Sequence, residues 1–81
     1  MNARVFVSLK KSVLDPQGQT IRSALHSRGY QMVDDVRQAK VFEIAVSPDS
    51  DRAAAAARLD EIAREILANP VIEDYRVEWV D

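Results

Sequence analysis

The sequence predicts an α+β two-layer sandwich with the element order strand, helix, strand, helix, strand. Two observations carry this prediction. Three segments alternate apolar and polar residues with the period of a strand, and two segments between them repeat apolar residues at helical spacing. Right-handed crossover connections would put both helices on one face of an antiparallel-rich sheet. A chain of 81 residues is expected to form a single domain over residues 1–81.

The first strand and the first helix follow from local signals. Residues 4–9 alternate so that the apolar odd-numbered positions share one face. The first helix begins at Asp15-Pro16, because aspartate can cap the first backbone N–H groups and proline at the first position removes no donor the helix needs. It ends at Gly29, which can adopt the left-handed conformation of a helix terminus. Its expected buried stripe is Ile21, Ala24 and Leu25.

The stretch from Met32 to Val46 permits two interpretations. Residues 40–47 alternate as a strand does, and residues 32–37 are also extended in character. The Gln38-Ala39 pair between them has none of the Gly, Asn or Asp residues that a tight hairpin favours. We therefore favour one long bent strand over two strands joined by a turn. Its length would carry one end beyond a small sheet, where it could meet a neighbouring subunit.

The second helix and the last strand complete the prediction. The helix runs from about residue 52 to 68, after an acidic cap at residues 49–51, and ends at Asn69-Pro70 because a residue before proline avoids helical geometry. Residues 71–80 then form the last strand. The resulting sandwich is ferredoxin-like. The expected buried stripe of the second helix is Ala55, Leu59, Ile62, Ala63, Ile66 and Leu67.

Composition narrows the class of protein. There is no cysteine and only one histidine, which excludes disulfides, thiolate sites and a multi-histidine metal site within one chain. The net charge of −2 gives no basic face for nucleic acid. No apolar run reaches the roughly 20 residues of a membrane span, and the N-terminus carries no signal-peptide pattern, so we expect a cytoplasmic protein. So short a chain buries a small share of its surface, which favours oligomerisation.

A search for catalytic chemistry finds isolated residues. His26 lies off the apolar stripe of its helix, and no partner for a general base is implied beside it. The carboxylate pairs Asp34-Asp35 and Glu73-Asp74 are adjacent in extended segments, so their members point to opposite faces. The two glycines, Gly18 and Gly29, are too far apart for a phosphate-binding loop. We therefore expect no catalytic residue, bound cofactor or metal site in this chain.

Several motifs, in order along essentially the whole chain, resemble one known family. They are VSLK at 7–10, VLDPQG at 13–18, AL at 24–25, GY at 29–30, VDDVR at 33–37 with Lys40 after it, and LANPVIEDY at 67–75. On these motifs the chain resembles the PurS family, the small subunits of phosphoribosylformylglycinamidine synthase.

The resemblance implies a function in purine biosynthesis. Such a subunit has no catalytic residues of its own and bridges a glutaminase subunit and a large ATP-dependent synthetase subunit. Together they convert formylglycinamide ribonucleotide, glutamine and ATP to formylglycinamidine ribonucleotide, glutamate, ADP and phosphate, and the small subunit supports ammonia transfer between the two sites. The resemblance also implies a homodimer or a dimer of dimers. The complex, rather than this chain, would use ATP and Mg.

Two motifs supply the candidate residues for contact with partner proteins. The same residues would also start and end helices, so the sequence leaves a purely structural role open beside the contact role. The candidates are Asp15, Pro16, Gln17, Gly18, Asn69, Pro70, Glu73 and Tyr75.

Two other functions remain open at this point. One is a ferredoxin-like regulatory domain that binds a small molecule as a dimer, which ligand-dependent thermal stabilisation of the isolated chain would reveal. The other is a small enzyme whose site forms between subunits from His26 with Asp34 or Asp35.

Overall fold

The computed structural model describes residues 1–80 and has the predicted element order. A π-helical turn, called here the π-turn, directly continues the second helix. Aspartate side chains cap both helices at their first residues, Pro16 and Arg52, as predicted. The elements are β1 (Asn2–Leu9), α1 (Pro16–Ser27), β2 (Ala39–Ala45), α2 (Arg52–Ile62), the π-turn (Ala63–Leu67) and β3 (Glu73–Trp79).

The three strands form an antiparallel sheet in the order β2-β1-β3. In this register Val5 on the central strand stands opposite Phe42 on one side and Val77 on the other. β2 and β3 therefore run parallel to each other with β1 between them, and α2 connects them as the helix of a split βαβ unit. The predicted α+β architecture is confirmed.

The core lies between the π-turn and one face of the sheet, called here the inner face. Val5 and Val7 of β1 are buried there at 0% and 1% exposure, against Ala63 and Ala68. Partly buried side chains from β2, β3 and the π-turn surround them. These are Phe42, Ile44, Leu67, Tyr75 and Val77.

The π-turn explains where the predicted stripe of α2 was wrong. The Ala68 N–H donates to the Ala63 carbonyl at 2.9 Å, five residues back, instead of the four of an α-helix. The wider turn lets both alanines face the core, and both are buried. Leu59 is buried as predicted, whereas Ile66 is turned outward and is 74% exposed.

The single long middle strand is not what the structure contains, because β2 is confined to Ala39–Ala45. Residues 30–38, called here the return segment, instead run back along α1. The Arg22 Nε donates to the Asp34 carbonyl at 2.7 Å, and the His26 Nε2 lies 2.7 Å from the Val33 carbonyl. These side chains of α1 occupy backbone carbonyls that strand pairing would otherwise use, so the segment lies on the helix and not in the sheet.

Together, α1 and the return segment form an arm, residues 16–38, that extends beyond the sheet. Within residues 1–80, α1 makes no substantial contact with the sheet. Ile21 is 43% exposed and Ala24 is exposed, so the prediction that α1 buries its stripe is wrong for the single chain. The radius of gyration is 16.2 Å, against about 12 Å for a compact chain of this length.

Two alanine variants test the packing beneath the π-turn. Ala63→Leu should lower the free energy of unfolding by about 1–3 kcal/mol, because Ala63 is fully buried and the larger side chain overpacks the core. Ala57→Leu, on the exposed side of α2, should change it by less than about 0.5 kcal/mol. Urea denaturation followed by circular dichroism, at equal chain concentration, measures both. Equal values for the two variants would contradict this packing.

Candidate functional site

Two stretches more than fifty residues apart in the sequence meet at one end of the sheet. We call Asp15–Gly18 the first motif and Asn69–Tyr75 the last motif. The loop after β1 joins them: the Lys10 N–H donates to the Ile72 carbonyl at 2.8 Å, and the Lys10 Nζ donates to Asp74 at 2.7 Å. The end of β1, the start of α1 and the start of β3 are therefore held at the same edge.

Asp15 is the organising residue of the first motif. Its side chain is buried, with 4% exposure, and both carboxylate oxygens are used. Oδ1 accepts from the Gly18 N–H at 3.0 Å as the helix cap, and Oδ2 accepts from the Gln38 N–H at 2.6 Å. The bond from Gly18, followed by the bond from Gln38, lowers the pKa of the Asp15 carboxyl, because both stabilise its charged form. One carboxylate thus joins the start of α1 to the residue before β2.

Gly18 permits the close approach of the return segment. A Cβ at this position would collide with the Val36 carbonyl oxygen and touch the Asp15 carboxylate. Glycine is needed here for space and not for its backbone angles. Gly29 shows the opposite case, since its φ of 93° is left-handed, as predicted for the helix end, while no atom lies near its missing Cβ.

Arg37 completes the base of the arm. One terminal nitrogen of its guanidinium donates to the Lys10 carbonyl and to the Val13 carbonyl, each at 2.8 Å. These bonds tie the loop between β1 and α1 to the return segment. The direction in which the arm leaves the sheet is therefore set by Asp15 and Arg37 together.

A cleft of about 460 Å³, called here the motif cleft, opens between the first turn of α1 and the inner face of the sheet. Its floor is apolar and its rim carries amide and charged groups. At the rim the Lys40 Nζ lies 3.9 Å from Glu73 Oε2, and the Lys40 side chain is 58% exposed. The lining residues are Val7, Leu9, Asp15, Pro16, Gln17, Gln38, Ala39, Lys40 and Glu73.

The last motif is held by bonds of its own. Asn69 Oδ1 accepts from the Val71 N–H at 3.1 Å, and Glu73 Oε1 accepts from the Asn69 N–H at 2.7 Å. The Tyr75 hydroxyl donates to Asp60 at 2.9 Å and so ties β3 to α2. This bond to a carboxylate raises the pKa of the Tyr75 phenol, because deprotonation would set two negative charges side by side.

The eight predicted contact residues divide by burial. Asp15 and Gly18 are buried and bond within the chain, Glu73 and Tyr75 are half-buried, and Pro16, Gln17, Asn69 and Pro70 are exposed. Sequence reasoning did not single out Gln38 and Lys40 as cleft residues. Lys40 had a signal, its place after the VDDVR motif, whereas Gln38 had none.

The remaining chemistry of the described residues is sparse. Residues 1–80 contain no group of three or more His, Asp or Glu side chains placed to hold a metal ion. The His26 ring faces the backbone carbonyl of Val33, and no bond joins it to Asp34 or Asp35. None of the helices in this part of the chain is long and apolar enough to cross a membrane.

Comparison with known proteins points to one family. The family model PurS, phosphoribosylformylglycinamidine (FGAM) synthase, matches residues 2–81. The chain is 49% identical over 79 residues to the phosphoribosylformylglycinamidine synthase subunit PurS of Bacillus subtilis, with 93% of this chain and 87% of that one covered. The Archaeoglobus fulgidus subunit PurS is 38% identical over 79 residues, and 98% of both chains is covered.

Solved structures give the same result. Methanocaldococcus jannaschii PurS, one of the subunits of formylglycinamide ribonucleotide amidotransferase, matches with a TM-score of 0.81 and 35% identity, covering 99% of this chain and 98% of that one. A chain in the structure of PurLQS from Thermotoga maritima matches with a TM-score of 0.75 and 25% identity, covering 95% and 93%.

An isosteric substitution tests the role of Asp15. Asp15→Asn should lower the melting temperature at pH 7, because an amide offers one acceptor oxygen where the carboxylate supplies two. Asp51→Asn should be nearly neutral, since Asp51 caps α2 through one bond to the Ala54 N–H and asparagine caps helices equally well.

The melting-temperature difference between the wild type and Asp15→Asn should depend on pH, because the pKa of Asp15 is lowered in the folded chain. The charged carboxylate stabilises the fold at pH values above its unfolded-state pKa of about 3.9, and that contribution is lost as the pH falls through the lower folded-state pKa. The melting-temperature gap between the wild type and Asp15→Asn should therefore narrow on acidification from pH 7 to pH 2. A gap that is constant with pH would contradict the assignment.

The two glycines provide a matched pair for the space argument. Gly18→Ala should destabilise the chain by more than Gly29→Ala, because its new methyl group meets backbone and not solvent. Gly29→Ala should cost about 1–2 kcal/mol, the penalty for a left-handed alanine. Thermal melts of both variants show which one is less stable. A smaller loss of stability for Gly18→Ala than for Gly29→Ala would show that the return segment can move away freely.

Proposed function

This chain belongs to the PurS family of phosphoribosylformylglycinamidine synthase subunits, and from that premise we propose that it joins a glutaminase subunit to a large ATP-dependent synthetase subunit. The glutaminase releases ammonia from glutamine, and the synthetase consumes it with ATP and Mg. The chain supplies no reacting group; it holds the two enzymes together so that ammonia passes between them. The structure of PurLQS from Thermotoga maritima, which contains a chain with this fold, supports the three-part assembly. As part of a nucleotide-biosynthesis enzyme, the chain acts in the cytoplasm.

The observation that carries this proposal is the convergence of the two motifs at the motif cleft. Their buried members, Asp15 and Gly18, fix the shape of the edge. Their exposed members include Pro16 and Gln17, which line the cleft, and Pro70, which lies outside it. A rigid edge with exposed residues around an apolar floor suits docking of a partner protein. We place the contact with the large synthetase subunit here.

Lys40 is the residue of the cleft that we expect to select the partner. Its side chain is 58% exposed, and its ammonium stands 3.9 Å from Glu73, a distance at which the ion pair is loose. A partner carboxylate could approach Lys40 from solvent, and burial by that partner would strengthen the interaction. The large subunit should therefore present an acidic group to this rim.

Self-association is part of the same proposal, as a homodimer or a dimer of dimers. The fully buried large side chains are only Val5 and Val7 among residues 1–80, a small core for a chain of this size. The outer face of the sheet also carries apolar groups, since Phe6 stands opposite Val41 in the register. Pairing of copies would bury surface that the single chain leaves in water.

One observation favours a second candidate function, the binding of a small molecule. The volume of the motif cleft, about 460 Å³, lies in the range of ligand pockets. Under this alternative a purine-pathway metabolite would raise the melting temperature of the isolated chain. Under the assembly function it would leave that temperature unchanged.

Reconstitution with the glutaminase and synthetase subunits tests the assembly function. Glutamine-dependent synthesis should require this chain, whereas synthesis from added ammonia by the large subunit should depend on it much less. A stable three-component complex should form only when the chain is present. If the chain neither binds the other two subunits nor changes the glutamine-dependent rate, the assembly function is wrong.

Two lysine variants locate the docking surface. Lys40→Glu should weaken binding to the large subunit at least tenfold, about 1.4 kcal/mol, because it opposes the expected acidic partner group. Lys11→Glu makes the same charge change at an exposed position outside the cleft and should alter binding less than twofold. Calorimetric titration measures both, and thermal melts confirm folding. Equal effects would place the docking surface elsewhere.

A further inference from the structure

The turn that leads into β3 carries an apolar side chain at its tip. Residues 69–73, called here the entry turn, run from just after the π-turn to the first residue of β3. Val71 at the centre of this turn is 79% exposed. A side chain that stays in water on folding adds little to the stability of its own chain. The packing of this chain therefore does not explain why residue 71 is apolar.

Formation of the turn does not explain the valine either. Asn69 and Pro70 suit the first two positions of a β-turn, and the Ile72 N–H donates to the Asn69 carbonyl at 3.1 Å, as in such a turn. Turn positions are usually taken by Gly, Pro, Asn, Asp or Ser. A polar residue at position 71 would therefore serve the turn equally well.

The entry turn is rigid because its backbone donors are all bonded. Two N–H groups, those of Ile72 and Glu73, donate to the Asn69 carbonyl, and the Val71 N–H donates to the Asn69 side chain. The Asn69 N–H donates to the Glu73 carboxylate, and Pro70 has no N–H. A partner that buries the tip would leave no backbone donor of the turn unpaired. Nor would such a partner have to order a loose loop.

The entry turn adjoins the motif cleft through Glu73. One oxygen of this carboxylate accepts from the Asn69 N–H within the turn, and the other lies 3.9 Å from the Lys40 ammonium at the rim of the cleft. Val71 precedes Glu73 by two residues, so their Cα atoms are at most about 7 Å apart. A protein interface of standard size covers about 800 Å² of each partner, a patch roughly 30 Å across. A protein docked over the cleft would therefore also cover Val71.

We propose that Val71 is an apolar anchor of the contact with the large synthetase subunit, which presents an apolar pocket to it. The inference rests on the proposed docking at the motif cleft and identifies a contact outside the cleft itself. Lys40 supplies charge at the exposed rim of this interface, and Val71 supplies apolar surface that docking removes from water. Protein interfaces commonly combine an apolar centre with a polar rim in this way.

An isosteric substitution tests the anchor. Val71→Thr keeps the shape of the side chain but exchanges a methyl group for a hydroxyl, which the pocket would bury without a partner. Its affinity for the immobilised large subunit, measured by surface plasmon resonance, should fall at least about fivefold. Val80→Thr makes the same change beyond the other end of β3, nine residues and about 30 Å away, and should alter the affinity less than about twofold. Equal effects of the two variants would overturn the anchor.

A charged substitution makes the test independent of any hydrogen bond that a threonine hydroxyl finds in the pocket. Val71→Asp should weaken binding at least about thirtyfold, because an apolar pocket cannot solvate a carboxylate. Val80→Asp should again change the affinity less than about twofold, and thermal melts check that all four variants are folded. Affinity equal to that of the wild type for Val71→Asp would overturn the anchor.

Sedimentation equilibrium distinguishes the synthetase from a second copy of this chain as the protein that covers the turn. Val71→Asp should self-associate as the wild type does. If it weakens self-association and leaves binding to the synthetase unchanged, another copy covers the turn and the anchor is wrong. If Val71→Asp binds normally and the wild type restores glutamine-dependent synthesis, the anchor is wrong and the assembly function stands. A wild-type chain that does not bind the large subunit would overturn both.

Discussion

The arrangement of this chain depends on the buried carboxylate of Asp15. Its two oxygens bond to backbone groups that lie on either side of the arm, the Gly18 N–H at the start of α1 and the Gln38 N–H just before β2. A residue with one acceptor could cap the helix but could not also fix the return of the chain. Because both ends of the arm meet at one side chain, the arm leaves the sheet in a defined direction and the motif cleft has a rigid wall.

The same constraint explains why the first motif mixes buried and exposed residues. Asp15 and Gly18 are buried and serve the geometry, while Pro16 and Gln17 between them project toward solvent beside the cleft. In the last motif the exposed Asn69 and the half-buried Glu73 shape the turn into β3 through their bond, and Pro70 stays exposed. The proposed function, holding other enzymes together, uses this combination of a fixed edge and exposed contact groups.

The structure could be predicted from the sequence where neighbouring residues determine the backbone conformation. The prediction failed where a contact with a distant residue determines it. The caps Asp15 and Asp51 and the helix end at Gly29 follow from neighbouring residues, and the structure confirms them. The extended residues before Ala39 were assigned to a strand because nothing nearby shows that a carboxylate 23 residues away holds the Gln38 N–H. Ile66 fitted the helical stripe, but the π-turn that brings Ala63 and Ala68 onto the sheet rotates it outward. In the cleft, Gln38 had no sequence signal because its position depends on that same long-range bond.

Amide hydrogen exchange at Gln38, followed by NMR, tests the central role of Asp15 most directly. The Gln38 N–H lies before β2 in a segment without strand pairing, and its bond to the buried Asp15 carboxylate should protect it. We expect it to exchange as slowly as the amides within β2 and to lose that protection in Asp15→Asn. Exchange at the rate of an open loop in the wild type would contradict the account, because the two ends of the arm would then not be held by this carboxylate.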